Sequence, residues 1–195
     1  MVMPSYQMIN DRFFKMRTVE YMLYGLVFIA LISFSYSNFS ISNIRNNKVE
    51  ISSGHMRSLV QTSSASYLTA AFGLLFLIVF SISLCTNDSD SAFKRMIMYP
   101  LPVFITIISF AFCSIQTLTH QNKIVENKVA DEYLRWKNIF TMLSIIQVLL
   151  IFYYLIADCK NSNSIVKYFI YIIALFNIIC LCIMQTILTF FCTDG

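Results

Sequence analysis

Two histidines, six cysteines and ten carboxylates are the side chains from which a metal centre or an acid–base pair would be built in this chain. A zinc centre takes about four His, Cys or carboxylate ligands, or about three and a water. Here the ligand types are scattered. His55 and His120 fall in two separate polar segments, with no cysteine pair or carboxylate cluster beside either. Cys180 and Cys182 stand one residue apart inside an apolar run, too close for a metal knuckle. No H-E-x-x-H, paired-Asp motif, glycine-rich phosphate loop or convergent Ser–His–Asp set occurs. The expectation is a non-enzymatic protein with no catalytic residues, no metal and no cofactor.

The cysteines lie at 85, 113, 159, 180, 182 and 192, and none falls in the polar segments 40–64 or 119–137. A secreted fold stapled by disulfides would place them there. Cys113, Cys180 and Cys182 read as small apolar packing residues. Cys85 and Cys159 close two apolar runs on the same side, a position that suits S-acylation.

The elements that would position these residues are five apolar runs, about 21–39, 65–85, 96–118, 138–157 and 166–192, and none contains Asp, Glu, Arg or His. Only Lys167, at the edge of the last run, interrupts the pattern. A helix rises ~1.5 Å per residue, so about 20 residues cross a ~30 Å hydrocarbon core. The composition agrees: 57% of residues are hydrophobic, 12% are charged and the mean hydropathy is +0.68, against about 25% charged in a soluble domain. The sequence therefore predicts an all-α, multi-pass transmembrane bundle of five spans, with residues 1–195 as one integral membrane domain and no separate soluble domain. A formal charge of +4 spread over scattered cations forms no polybasic patch, which argues against nucleic acid and leaves the lipid bilayer as the evident partner.

Within the runs, small residues mark close helix approach, because in lipid helices associate through packing and polar contacts. Ala65, Thr69 and Gly73 line one face of the second run, and Ser109 and Cys113 repeat the spacing in the third. Pro100 and Pro102 suit the first turn of the third helix, where the missing N–H has no helical partner. Gln147 and Asn177 fall near mid-membrane on adjacent spans, and an interhelical hydrogen bond between them is expected. The first run continues into Phe34, Tyr36 and Phe39, too long for a signal-peptide core of ~7–15 residues, and is read as an uncleaved span.

Segment 120–137 has helical periodicity. Val125, Val129, Tyr133 and Trp136 form one stripe, while Lys128–Glu132 and Asp131–Arg135 are opposite charges four apart. The reading is one helix from about 125 to 157, its first part outside the bilayer, with the stripe covered by Ile44, Val49, Ile51 or Leu59 or serving as a docking surface. Seven cations fall on each side of the five spans, so the positive-inside rule ties. The short turns and the thiols of Cys85 and Cys159 favour a cytosolic N-terminus.

The chain ends Phe190-Phe191-Cys192-Thr193-Asp194-Gly195 directly after the last run. This tail, in a small Ile-, Phe- and Asn-rich multi-pass chain, resembles that of membrane proteins of large nucleocytoplasmic DNA viruses. Cys192 stands where a small hydroxyl residue would be expected. The resemblance implies a virion internal-membrane or assembly role beside other membrane or capsid proteins, and it supplies no site residues. Two functions are thus carried forward: a structural or scaffold membrane protein, and a transporter or channel subunit for a small neutral solute or ion.

Overall fold

A computed structural model describes residues 6–85, 100–156 and 164–190, with side chains placed at 18–80, 101–153, 165, 166 and 168–190. The described residues form α1 (Tyr6–Asn46), α2 (Ser53–Cys85), α3 (Pro100–Thr119), the short α4 (Gln121–Val125), α5 (Asp131–Ile156) and α6 (Ser164–Phe190). Five of these helices are long and apolar enough to cross a bilayer, over Thr18–Asn46, Ser53–Phe80, Leu101–Thr119, Asp131–Tyr153 and Tyr168–Phe190.

Buried positions recur three and four residues apart. On α2 they are Met56, Val60, Ser63, Tyr67, Ala70, Leu74 and Leu77, and on α6 Ile170, Ala174, Asn177, Leu181, Met184 and Leu188. This seven-residue repeat keeps one seam facing the neighbours and lets helices interlock at shallow crossing angles. Contacts run α1–α2–α3–α6–α5 and return to α1, closing the long helices into a ring. Its centre is filled by aromatic side chains. Phe34 stacks on Tyr67 at a centroid distance of 4.5 Å, and Phe110 meets Phe34 edge-on at 5.9 Å and Phe140 at 6.4 Å.

The outer surface is apolar in the opposite sense. Ile29, Ile32, Tyr36, Phe72, Phe76, Ile108, Ile115, Leu149, Leu175 and Phe176 are all exposed. A belt of this kind around the whole ring far exceeds the apolar patches that soluble monomers expose. Its natural solvent is lipid. The protein is an integral, multi-pass membrane protein.

Segment 40–64 is not a long loop. α1 continues to Asn46 and α2 begins at Ser53, leaving six residues between them. Ile41, Met56, Leu59 and Val60 are buried there at helical spacing, so polar composition coexists with an inward apolar face. α1 ends in a left-handed turn: Lys48 has φ 50°, its N–H bonds to the Arg45 carbonyl, and the Val49 N–H reaches back to Ile44. That is the Schellman arrangement, normally completed by glycine because a Cβ is disfavoured there. Lys48→Gly is therefore expected to stabilise the protein by ~1 kcal/mol, read as a rise in thermal midpoint in detergent. Ser52 caps α2, its Oγ accepting from the His55 N–H at 3.3 Å.

The helix expected from Val125 to 157 is broken. α4 stops at Val125, and α5 starts only at Asp131. The cause is a second Schellman turn, with Asn127 at φ 56°, its N–H on Ile124 and the Lys128 N–H on Lys123. Asparagine tolerates this conformation better than most residues. The turn folds the expected docking stripe back onto the bundle. Val129 and Tyr133 become fully buried, and Val125 and Trp136 half-buried against the core. The stripe closes one end of the ring and is not an open surface. Of its expected cover, Leu59 is buried and Ile44 packs on the core, while Val49 stays exposed. The charge pairs rearrange too: Lys128 pairs with Glu126 at 3.1 Å and Asp131 with Arg45 of α1 at 2.6 Å.

The close-packed face of α2 is turned from the expected one. Ala65 and Thr69 are exposed, with the Thr69 hydroxyl on the Ala65 carbonyl, whereas Ser66, Ala70 and Gly73 are buried. Tyr67 sets the rotation, because its ring must occupy the centre. Ser109 and Cys113 are buried in α3. Among the described residues α3 opens at Pro100, with Pro102 in its first turn.

Candidate functional site

The chemistry-bearing groups that the fold gathers lie inside the ring. Lys137 sits on the inward stripe of α5, one turn from buried Tyr133, and is only 2% exposed. Its Nζ donates to Thr117 Oγ1 of α3 at 2.9 Å, and that hydroxyl donates to the Cys113 carbonyl at 2.8 Å. Lys137 has no ion-pair partner among the described residues. It lies six residues into α5, about 9 Å along the axis. Such a buried cation is costly, and in a membrane protein it marks the first place to look for function.

One turn further on, Asn38 of α1 joins three helices. Its Nδ2 donates to the Tyr67 hydroxyl at 2.8 Å and to Thr141 Oγ1 at 3.0 Å, and its Oδ1 accepts from Ser63 at 2.8 Å. The Tyr67 hydroxyl and Thr141 Oγ1 are 2.9 Å apart, and Thr141 donates to the Lys137 carbonyl. With Tyr67 donating, every proton and acceptor of the group has a use. All five side chains are buried. Asn38→Ala removes the hub of this network and is expected to cost ~2 kcal/mol, since buried polar groups lose their partners. The check is the thermal midpoint of the variant beside Asn43→Ala, an exposed asparagine of the same helix. Next to the hub, Ser64 and Ser114 clasp α2 to α3, their hydroxyls 2.6 Å apart.

Gln147 and Asn177 meet as the spacing predicts, Asn177 Nδ2 donating to Gln147 Oε1 at 2.6 Å. The pair is incomplete: Gln147 Nε2, Asn177 Oδ1 and the nearby Ser144 Oγ have no partner although buried. Gln116 Nε2 donates to Gln185 Oε1 at 2.8 Å, tying α3 to α6. His55 is exposed and His120 rests its Nδ1 on the Gln116 carbonyl at 3.0 Å. Among the described residues no three His, Cys, Asp or Glu side chains converge on a common point.

No family model, curated protein or solved structure matches this chain. Function must therefore be argued from the interior itself. Of the residues singled out from sequence, the fold brings Gln147 to Asn177 and buries Ser109, Cys113 and Gly73 between helices. It does not bring Val125, Val129, Tyr133 and Trp136 to an open face. The Cys85 side chain, Cys159 and the tail 191–195 lie outside the described residues, so the acylation sites and the tail are not part of this geometry. Sequence reasoning missed Lys137 and Asn38. The missed signal was periodic: Tyr133, Lys137, Thr141 and Ser144 occupy one helical face, and a cation on a stripe of hydroxyls points inward.

Proposed function

We propose that this is a non-enzymatic structural membrane protein, a scaffold within a larger membrane assembly. One observation supports the reading: the centre of the ring is plugged by Phe34, Tyr67, Phe110 and Phe140, and the Asn38 network beside it closes on itself. A filled interior of bonded polar groups fixes helix order and register, which a scaffold needs and a permeation path does not. The resemblance of the tail adds a setting, a virion internal membrane with other membrane or capsid proteins as neighbours. The N-terminus is placed on the cytosolic side, which protease access to an N-terminal tag in sealed vesicles tests.

The alternative, a transporter or channel subunit for a small neutral solute or ion, draws on α5. Lys137, Thr141, Ser144 and Gln147 form a buried polar stripe about 15 Å long, and its far end carries the three unpartnered atoms. Purified protein in liposomes separates the readings. The scaffold predicts ion and glycerol flux equal to protein-free vesicles. Flux above that background, abolished by Gln147→Leu, would replace it with the alternative.

A further inference from the structure

Beside the end of the ring where Arg45 meets Asp131, a groove of about 740 Å³ opens between α1 and α5. Its polarity is graded. At one end stand Asn46, Asp131, Glu132 and Arg135, then Ser42 and Asn138, and at the other Phe39, Ile139, Met142 and Leu143. From Arg135 to Leu143 the floor descends eight residues of α5, about 12 Å, from the level of charged side chains into the belt facing lipid. The helices diverge here for a local reason. Asn38 and Thr141 hold them together on the inner side, and the Arg45–Asp131 bridge holds the rim, while Phe39 and Met142 turn outward.

We propose that this groove is a binding site for one zwitterionic phospholipid, its headgroup at the charged rim and one acyl chain along Phe39, Ile139 and Met142. The charge pattern commits the site to that occupant. Asp131 is engaged by Arg45, but Glu132 and Arg135, three apart on one face of α5, form no salt bridge among the described residues. A headgroup with a phosphate and an ammonium offers a partner to each: guanidinium to phosphate, carboxylate to ammonium. Arg is the side chain best shaped for phosphate. An anionic headgroup would satisfy Arg135 and oppose both carboxylates. A purely apolar guest, or a helix from another chain, would leave the rim charges unmatched. The proposal is independent of whether the ring is a scaffold or a conduit.

The test is lipid retention. Protein in mild detergent is exchanged against equal phosphatidylethanolamine and phosphatidylglycerol of the same chains, and native mass spectrometry counts what stays bound. One phosphatidylethanolamine per chain is expected, preferred about tenfold over phosphatidylglycerol, the scale of one charged hydrogen bond. Arg135→Gln should lower that retention about tenfold on the same basis, and Met142→Trp should block it by filling the groove. Both side chains are exposed, so unchanged circular dichroism and gel-filtration volume show that each variant is folded. Equal retention of the two lipids, preference for phosphatidylglycerol, or full retention by folded Met142→Trp would each overturn the site. So would protein dimers that exclude lipid through this face.

Discussion

Gly73→Leu is expected to be among the most damaging single substitutions in the ring, lowering stability by ~3 kcal/mol or more through overpacking. Gly73 lies on the buried face of α2 against α1. A Cβ there would collide with Val27 Cγ2 and stand 3.1 Å from Leu26 Cδ2 and 3.7 Å from Val27 Cβ. Leu26 has a flexible end and can swing. Val27 is β-branched, stiff at χ1 and fully buried, so relief requires the helices themselves to part. Separation of α1 from α2 would also pull Phe34 off Tyr67 and Asn38 off Ser63. Gly25, on the exposed face of α1, has nothing within 4 Å of an added Cβ. Gly25→Leu should therefore leave the thermal midpoint in detergent nearly unchanged while Gly73→Leu lowers it sharply. Equal midpoints would mean that the α1–α2 contact is not a tight one.

Gly73 also shows what was legible in the sequence. Runs free of carboxylate, arginine and histidine revealed the five spans, because lipid excludes charge and unpaired backbone so strongly that composition alone marks a crossing. The small-residue pattern found the right helix and the right glycine. It chose a face including Ala65 and Thr69, which are exposed, over Ser66 and Ala70, which are buried. Two small stripes lay side by side, and the tie was broken by the bulk of Tyr67, which only the ring's centre accommodates. Small size permits close approach; it does not say which neighbour approaches.

Helix ends were less legible, for a different reason. Segment 40–64 is polar in composition but helical over most of its length, because Ile41, Met56, Leu59 and Val60 keep an inward stripe. Hydropathy averages erase such a stripe where serines and asparagines fill the other faces. The break at Asn127 was hidden because no glycine or proline announces it. Left-handed turns at Lys48 and Asn127 are imposed by the residues that follow, whose apolar side chains must turn back onto the core. Asn177 and Gln147 were found because amides in an otherwise apolar window stand out. Lys137, adjoining the apolar window, read as an interfacial charge.

Lys137 and Thr117 provide a pair of substitutions with opposite expected signs. Thr117→Val keeps the shape of the side chain but removes the oxygen that accepts from Nζ at 2.9 Å. The ammonium then stays buried with its one described hydrogen-bond partner gone. Removing a partner from a buried charge costs about 3 kcal/mol or more, so a large fall in the thermal midpoint is expected. Lys137→Met deletes the charge and retains an unbranched chain of similar length. Thr117 still has the Cys113 carbonyl to donate to, so nothing buried is orphaned, and replacing a buried ion with a well-packed apolar group is often neutral or stabilising by ~1–4 kcal/mol. The double variant should then recover most of what Thr117→Val loses, because the valine no longer faces a charge. If Lys137→Met instead destabilises as strongly as Thr117→Val, the ammonium has a further partner inside the ring, and the buried cation is part of the architecture. If it stabilises, the lysine is held at a cost to the fold, which is the pattern of residues retained for what they do.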